Sequence, residues 1–386
     1  MLARHPAPRR HTLTALSIGI VLTLPLAAEA GNGYMPIGYG TKSKGMGGVA
    51  VALPQDSLVV ASNPAGMAYV SERFDIGIET SSPASEYADK NAAGTVTASE
   101  KGKAHTDYMP GLGYNGMLDA VSSVGLGIYG NNTSAKYATA GEARFSQIYW
   151  DLSYAQRLGR TWTLGGSIFV VGQGLSTNTV VPSPGFTTNY GIGGRLGALL
   201  DIGAGLTLGA MYQPAVNMKP FTDYVLVASA GDFDVPARYA GGLAWKSQFG
   251  LSLGVDYEVI KYSAVNSWGR SSTAAVGANG FGWKDANVLK AGAQYTARNG
   301  FAIRAGLDQT SQVIPNNETA ANKLWATAAA RTHATGGLTF PLSKDSEVDL
   351  AFIYTLPSTI TGAAGAATTE LTTSGTSAEV SYGVRF

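Results

Sequence analysis

The C-terminal end of the chain alternates between apolar residues and residues that are polar or small. The apolar positions are Ala378, Val380, Tyr382, Val384 and Phe386, and the positions between them are Glu379, Ser381, Gly383 and Arg385. Successive side chains of a β-strand point to opposite faces, so this pattern predicts a strand with one apolar face. Such a strand, ending the chain on an aromatic residue, is typical of the closing strand of an outer-membrane β-barrel, whose apolar side faces lipid.

The composition is also typical of a barrel that stands in lipid. Charged residues make up 14% of the chain, against about 25% in soluble domains. Glycine contributes 50 of the 386 residues, and no apolar run after residue 30 is as long as a spanning helix. A soluble β-sandwich or propeller is the alternative, but a soluble surface usually carries more charge. Because the chain has no cysteine, packing and backbone pairing must hold the fold together.

Residues 1–30 have the pattern of a secretory signal peptide. Basic residues precede an apolar stretch at 13–26, and Ala28-Glu29-Ala30 matches the small-x-small cleavage pattern. A transmembrane anchor is the alternative, but the apolar stretch is short for a span and is interrupted by Pro25. We therefore expect the mature chain to begin at Gly31.

About fourteen strands with short and long connections follow residue 73. We place them near 74–82, 105–114, 122–131, 144–157, 162–173, 187–201, 206–217, 236–246, 250–262, 284–297, 300–309, 332–342, 347–357 and 376–386. Short polar turns alternate with longer loops rich in Ala, Ser, Thr, Asn and Gly, which is the asymmetry of outer-membrane barrels. The prediction is an all-β fold, a transmembrane 14-stranded antiparallel β-barrel formed by residues 71–386.

Residues 31–70 lack the alternation of a strand and are rich in small residues. Glycine permits sharp turns and small side chains permit close packing against a wall, while Asn63-Pro64 marks a turn. The apolar residues between positions 46 and 60 indicate burial, whereas a disordered tail is usually more polar. We therefore predict that residues 31–70 form a plug, or hatch, inside the lumen of the barrel.

Several aromatic residues fall near the predicted strand ends. Amphipathic rings favour the headgroup level of a bilayer, so these residues are interpreted as the aromatic girdles of the barrel. Stacking against a ligand is the alternative for a few of them. The residues are Tyr149, Trp150, Trp162, Tyr212, Trp245, Tyr257, Tyr262, Trp283 and Tyr354.

The N-terminal motifs resemble those of the FadL-type outer-membrane transport proteins. The resemblance rests on the glycine-rich start, Asp56, Asn63-Pro64-Ala65 before the first strand, and the segments Phe281–Ala286 and Phe301–Gly306. It implies a fourteen-stranded barrel with an N-terminal hatch, and uptake of long-chain fatty acids or, in some branches, aromatic hydrocarbons. In that family the ligand binds inside the barrel and leaves sideways through a break in the wall. The outer loops are shorter here than in the fatty-acid members, so fatty acids, alkanes and aromatic compounds all stay open as substrates.

The resemblance and the pattern together name candidate residues for the hatch and for a lateral opening. The hatch or gate candidates are Asn63, Pro64, Ala65, Asp56, Gly47 and Gly48. Proline cannot donate to a strand ladder, and interior glycines often mark bulges. We therefore predict an opening between the second and third predicted strands, at Pro110, Gly111, Gly125, Gly127 and Gly130. The alternative is that these glycines fit crowded positions beneath the hatch.

Strand parity places charged and polar residues of both signs in the lumen. They are Asp75, Glu79, Arg195, Asp256, Glu258, Lys290, Gln294, Arg304, Asp308, Asp349 and Arg385. We expect most of them to pair with one another or with the hatch, where Lys42 and Lys44 are candidate partners of Asp75 or Glu79. The alternative is that some hold a ligand carboxylate. The ligand-binding candidates are Tyr34, Met35, Arg195, Lys290 and Arg304.

Other classes of function find little support in the sequence. After processing only His105 and His333 remain, with no thiol, no nucleophile elbow and no zinc motif, so no catalytic centre, metal or cofactor is predicted. A formal net charge of +1 does not indicate nucleic-acid binding. The prediction is a monomeric outer-membrane channel, in contact with lipid, for passive uptake of hydrophobic small molecules. A general diffusion porin is the main alternative, and an adhesin or purely structural barrel is a third.

Overall fold

A computed structural model describes residues 31–179, 185–224, 227–364 and 367–386. The predicted signal peptide, residues 1–30, lies outside the described residues. Most of the described chain is antiparallel β-structure, joined by loops and short helical turns. No helix within the described ranges is both long and apolar enough to cross a bilayer.

The strands form one antiparallel sheet that closes on itself. Each of the barrel strands pairs with the next along the chain, and the last also pairs with the first, with Phe74 opposite Val384. Fourteen strands make the closed barrel, and the short β2 pairs only with the outer part of β1. The predicted fold class is confirmed. The strands are β1 Arg73–Lys90, β2 Val96–Lys101, β3 Asp107–Met117, β4 Ser122–Lys136, β5 Glu142–Leu158, β6 Trp162–Thr177, β7 Thr187–Gly203, β8 Leu206–Gln213, β9 Arg238–Lys246, β10 Leu251–Ile260, β11 Ala286–Thr296, β12 Ala302–Thr310, β13 Thr332–Pro341, β14 Ser346–Ala364 and β15 Ala367–Arg385.

Alternation along the strands separates an apolar outer face from a polar inner face. On β1, Ile76 and Ile78 are 47% and 43% exposed, whereas Asp75 and Glu79 are buried. The same alternation continues round the barrel, with Leu152 and its outward neighbours exposed. Such an outer face is more stable in contact with hydrocarbon than with water, because the transfer of apolar side chains out of water lowers the free energy.

Several strands extend further than their sequence pattern predicts, as β1 does by reaching Lys90 instead of residue 82. The residues between 358 and 375, predicted as a long loop, continue the hairpin of β14 and β15 as far as the pair Ala364 and Ala367. The loop prediction was therefore wrong here. The segment is rich in threonine, a β-branched residue that favours strands. A register shift between Thr355 and Ser358 accommodates Pro357, which cannot donate to the ladder.

Helical structure is confined to short segments. Two have capping residues that the sequence singles out: Asp56 Oδ1 accepts from Leu58 N at 3.0 Å, and Asn63 Oδ1 accepts from Ala65 N at 3.1 Å. Such caps satisfy backbone donors that the first turn of a helix leaves free. The α-helical turns are α1 Thr41–Lys44 and α2 Asn266–Gly269, and the 3₁₀ segments are Ser57–Ala61, Pro64–Tyr69, Thr222–Tyr224, Ser229–Gly231, Tyr262–Ala264 and Asn316–Ala329.

The two ends of the barrel differ. The first residue of β1, Arg73, and the last residue of β15, Arg385, both lie on the side of the barrel where the connections are short turns. Long connections at 214–237, 261–285 and 311–331 lie at the other end. Several of their aromatic side chains are buried, so these loops fold back over the mouth of the barrel.

Candidate functional site

The N-terminal segment, residues 31–70, contacts the inner face of strands on all sides of the barrel. Its backbone donates from Gly47 N to Thr335 Oγ1 on β13 at 2.8 Å, and from Ala50 N to Asp256 Oδ2 on β10 at 2.7 Å. On another side, Asn63 Nδ2 donates to Ala198 O on β7 at 3.2 Å. Contacts in so many directions can only be made from within a closed barrel. The segment therefore occupies the interior of the barrel, called here the bore.

Inward-facing glycines allow the N-terminal segment to lie directly on the wall. A Cβ atom at Gly165 would lie 2.4 Å from Ala65 N, and one at Gly306 would lie 2.2 Å from Gly47 N. Both neighbours are backbone atoms, which cannot rotate aside as a side chain can. Glycine at these positions is therefore required by the close approach of two backbones.

The other hatch candidates hold the shape of the segment. Gly47 and Gly48 adopt φ values of +68° and +82°, which favour glycine. Asn63 also donates from Nδ2 to Val51 O at 2.7 Å, which joins the two halves of the segment. Pro64 begins the 3₁₀ turn that Asn63 caps, where its missing N–H costs nothing.

Ion pairs fasten the N-terminal segment where the barrel closes. Lys44 pairs with Glu79 on β1 and with Glu379 on β15, the latter at 2.7 Å. Lys42 pairs with Glu347 on β14 rather than with Asp75 or Glu79. The expected pairing of lumen charges is thus confirmed for Lys44, and for Lys42 the expected partner was wrong.

Two of the predicted ligand-binding cations are held in networks of protein groups. Arg195 donates from Nη1 to Val60 O at 2.7 Å and from Nη2 to Gln213 Oε1 at 2.8 Å, and Nη1 lies 3.2 Å from Asp151 Oδ2. Lys290 Nζ lies 2.7 Å from Glu258 Oε2. A carboxylate ligand would have to displace these partners. Arg304, the third candidate, has a different environment that is described below.

Replacing Arg195 is expected to destabilise the barrel strongly. In Arg195→Met the buried Asp151 loses its cation, a change that typically costs about 3–5 kcal/mol in the free energy of unfolding. Guanidinium unfolding in lipid vesicles, followed by tryptophan fluorescence, measures the loss. The double variant Arg195→Met with Asp151→Leu should recover much of it, because no unpaired charge then stays buried. A single variant as stable as the wild type would contradict the structural role.

A cluster of aromatic side chains fills the bore towards the long-loop end. Tyr34 of the N-terminal segment lies at its centre, with ring centroids 4.9 Å from Phe145 and 5.1 Å from Trp268. Trp268 lies 4.5 Å from Trp283. We call this group the aromatic cluster; its members are Tyr34, Phe145, Phe233, Tyr262, Trp268, Phe281, Trp283 and Trp325.

The aromatic cluster corrects part of the girdle prediction. Tyr149, Tyr262 and Trp283 are buried inside the barrel, so their assignment to a girdle was wrong. The reason is that Tyr149 has inward parity, while Tyr262 and Trp283 lie beside a loop that folds back into the mouth. The outward aromatic residues of the prediction are Trp150, Trp162, Tyr212, Tyr257 and Tyr354, together with Trp245, which is half-buried and lies opposite the outward Leu253.

Met35 lies beside the aromatic cluster and is held through its backbone. Its N donates to Tyr262 Oη at 3.3 Å, and the same hydroxyl donates to Asn32 O at 2.6 Å. Asn131 on β4 donates from Nδ2 to Tyr34 O at 3.1 Å. Tyr34 and Met35 are therefore held by hydrogen bonds to both β4 and the β10–β11 loop. A movement of β4 or of that loop would move them.

A cavity of about 500 Å³ lies among the long loops above the aromatic cluster. Phe281 and Trp325, which are members of the cluster, also line the cavity. Leu175, Val227 and Leu324 add apolar surface to it. The cavity thus joins the loop surface to the aromatic interior.

Pairing between β3 and β4 stops part of the way along the wall. The two strands pair only from Leu112 opposite Ile128 to Met117 opposite Ser123. Beyond that point β3 pairs only with β1, and β4 pairs only with β5. We call this interruption, between 107–111 and 129–133, the wall gap.

The wall gap is bounded at its outer end by a few polar contacts. Ser134 Oγ donates to Asp107 Oδ2 at 2.7 Å, and His105 Nε2 lies 2.6 Å from the same hydroxyl. Above them, Glu100 on β2 accepts a hydrogen bond from Thr139 Oγ1 at 2.6 Å. That bond and neighbouring backbone donors lower the pKa of Glu100 to about 2. These contacts tie the outer loops together over the gap.

The candidate residues of the lateral opening divide into two groups. Pro110 and Gly111 line the gap on β3, and Gly130 lines it on β4, where a Cβ would lie 2.9 Å from Met109 Sδ. Gly125 and Gly127 lie in the paired part and pack against the N-terminal segment, which agrees with the crowding alternative for these two.

A second group of aromatic side chains lies beside the wall gap, and it belongs to the same buried hydrophobic core as the aromatic cluster. Tyr129, the first residue of β4 beyond its pairing with β3, lies 4.8 Å from Tyr39 of the N-terminal segment and stacks on Tyr149 at 5.3 Å. Tyr149 in turn lies 5.4 Å from Phe169. Buried apolar side chains are thus continuous from the long loops to the wall gap.

His105 and His333, the two histidines outside the predicted signal peptide, both contact other polar side chains. His333 is buried and its Nδ1 lies 2.9 Å from Asp308 Oδ1. Within the described part of the chain, no group of three or more His, Asp or Glu side chains could hold a metal ion.

Comparison with known proteins gives matches only at the level of structure. No protein-family model matches the chain, and no curated protein sequence matches it. The toluene transporter TodX of Pseudomonas putida is similar over 91% of this chain and 99% of its own, with a TM-score of 0.70 and 18% identity. A FadL homologue from Pseudomonas aeruginosa is similar over 92% and 100%, with a TM-score of 0.70 and 13% identity. The Ralstonia pickettii toluene transporter TbuX is similar over 91% and 99%, with a TM-score of 0.60 and 18% identity. The chain therefore has the fold of the FadL-type transport barrels, as its strand pattern and N-terminal motifs predict.

Proposed function

We propose that the chain is a bacterial outer-membrane channel through which hydrophobic small molecules diffuse passively. The apolar outer face of the barrel supports a place in lipid. Structures with the same fold are a FadL homologue and two toluene transporters. The proposal is transport rather than catalysis, by a monomer that needs no cofactor.

In this proposal residues 31–70 are a hatch and residues 71–386 are the barrel. The hatch blocks a straight path along the bore, since its backbone is packed on the wall at Gly165 and Gly306. A solute that enters from outside must then leave through the side of the barrel. The observation that carries the proposal is the combination of a filled bore with a wall gap between β3 and β4.

The proposed route follows the apolar lining. A solute enters the cavity among the long loops, passes the aromatic cluster and reaches the wall gap beside Tyr129. Each CH₂ group that it buries contributes about 0.8 kcal/mol, and each well-placed aromatic contact adds about 0.5–1.5 kcal/mol. An apolar solute is stabilised on this route, whereas a hydrated ion would lose its water without compensation.

Uptake by whole cells tests the proposal, because the polysaccharide-coated outer leaflet is the barrier that the channel overcomes. Cells that lack their own hydrophobic-uptake channels would express the chain and receive radiolabelled toluene or oleate. We expect faster uptake than in cells with an empty vector, and little ion conductance of the purified protein in planar bilayers. Large, steady conductance without any gain in hydrophobic uptake would instead assign the chain to the general diffusion porins. The ratio of toluene to oleate uptake gives the substrate class.

A further inference from the structure

A second cavity lies at the short-turn end of the bore, beneath the N-terminal segment. It has a volume of about 470 Å³ and lies between residues 53–55 and the turns at 298–300 and 343–346. None of the residues that line it belongs to the aromatic cluster or to the wall gap. It is therefore a separate compartment, off the proposed route.

The lining of this cavity is strongly cationic. It contains a single acidic residue, Glu347, which already pairs with Lys42, with Arg73 at 2.9 Å and with Arg385 at 2.7 Å. Outside the lining itself, Asp349 Oδ2 lies 3.8 Å from Lys42 Nζ and Asp345 Oδ2 lies 3.7 Å from Lys344 Nζ. Several positive charges around one cavity produce a positive potential, which favours the binding of an anion. The basic residues of the lining are Lys42, Lys246, Arg298, Arg304, Lys344 and Arg385.

Arg304 is the group that most needs a partner in this cavity. Its side chain lines the cavity although the residue is only 5% exposed. Nε donates to Gln294 Oε1 at 2.6 Å, but Nη1 makes no hydrogen bond with any described residue and lies 3.8 Å from Asp349 Oδ1. A buried charged donor without an acceptor is costly. The planar fork of a guanidinium matches the oxygens of a carboxylate or a phosphate.

We propose that this cavity binds a small oxyanion, a carboxylate or a phosphate, through Arg304 with Lys42 beside it. Lys42 belongs to the N-terminal segment and Arg304 belongs to β12, so the bound oxyanion bridges the hatch to the wall. This site does not depend on the proposed transport function, because neither the aromatic cluster nor the wall gap takes part in it.

Calorimetric titration of the purified full-length protein in a neutral detergent tests the site. Sodium phosphate and sodium benzoate are the two probes, at constant ionic strength with sodium chloride as the reference. We expect binding of at least one oxyanion, and the stronger of the two assigns phosphate or carboxylate chemistry. In Arg304→Gln the affinity should fall roughly tenfold or more, because a charge-assisted pair of hydrogen bonds is lost.

Arg160→Gln is the matched control, since Arg160 is exposed in the turn between β5 and β6 at the same end of the barrel. It removes the same charge and should leave the affinity unchanged. Arg304→Lys keeps the charge without the fork and should bind with intermediate affinity, and heat-modifiable gel mobility verifies that each variant is a folded barrel. No binding of either probe by the wild type, or an equal loss in Arg304→Gln and Arg160→Gln, would overturn the proposal.

Discussion

Closing the wall gap with a disulfide is expected to abolish the uptake of hydrophobic compounds. The chain has no cysteine, so a pair introduced as Tyr108→Cys and Asn132→Cys has no native thiol to compete with it. These two positions come opposite each other when the register of Leu112 and Ile128 is continued across the gap. A disulfide requires Cα atoms about 5.5–6 Å apart, so its formation draws β3 and β4 together and blocks passage between them.

The measurement is uptake of labelled toluene by cells under oxidising conditions and again after a reductant is added. Uptake should fall to the level of empty-vector cells when the disulfide forms, and should return on reduction. The control pair, Leu152→Cys with Ile168→Cys, joins outward residues that already face each other on β5 and β6. That bond should leave uptake unchanged. Full disulfide formation at the gap with normal uptake would place the exit elsewhere.

The barrel strands are predictable from the sequence because lipid and the bore impose opposite demands on successive residues. On β1 the demand is visible in four consecutive alternations, with Ile76 and Ile78 outside and Asp75 and Glu79 inside. The outer halves of β14 and β15 lie where that contrast fades, since threonine and alanine suit either side. Their pairing depends on the neighbouring strand rather than on their own pattern.

The aromatic cluster was only partly accessible to sequence reasoning. Tyr149 could have been placed inside, because it is adjacent to Trp150 and neighbouring residues of a strand face opposite sides. Trp268 and Trp325 lie on loops without periodicity, and their burial results from loops that fold back into the barrel. Contacts between segments so far apart in the chain leave no local signal.

The wall gap and the cavity at the short-turn end also differ in how far the sequence predicts them. Pro110 is a local signal, because proline interrupts a ladder wherever it occurs, and the pairing of β3 with β4 stops near it. The cationic cavity has no such signal. Its basic residues come from the N-terminal segment, two turns and the strands β9, β12 and β15, and only barrel closure brings them together.

Dislodging the N-terminal segment is expected to convert the barrel into an open pore, and Gly306→Val is the sharpest way to do so. A Cβ atom at this position would lie 2.2 Å from both Gly47 N and Met46 C. These are backbone atoms, and Gly47 N is held by its hydrogen bond to Thr335 Oγ1 at 2.8 Å. The valine must therefore push the N-terminal segment off β12, while the strand itself keeps its pairing.

Single-channel recording in planar bilayers measures the result. The wild type should conduct little, because residues 31–70 are packed on the wall on every side, and Gly306→Val should conduct potassium chloride steadily. Gly336→Val is the matched control on the adjacent β13, since the nearest atom to a Cβ there is Arg304 O at 3.8 Å. It should remain as silent as the wild type. If a folded Gly306→Val barrel stays closed, then the contact between Gly47 and β12 does not hold the N-terminal segment in place. Its other contacts, among them the ion pairs of Lys42 and Lys44 with β14, β1 and β15, must then do so.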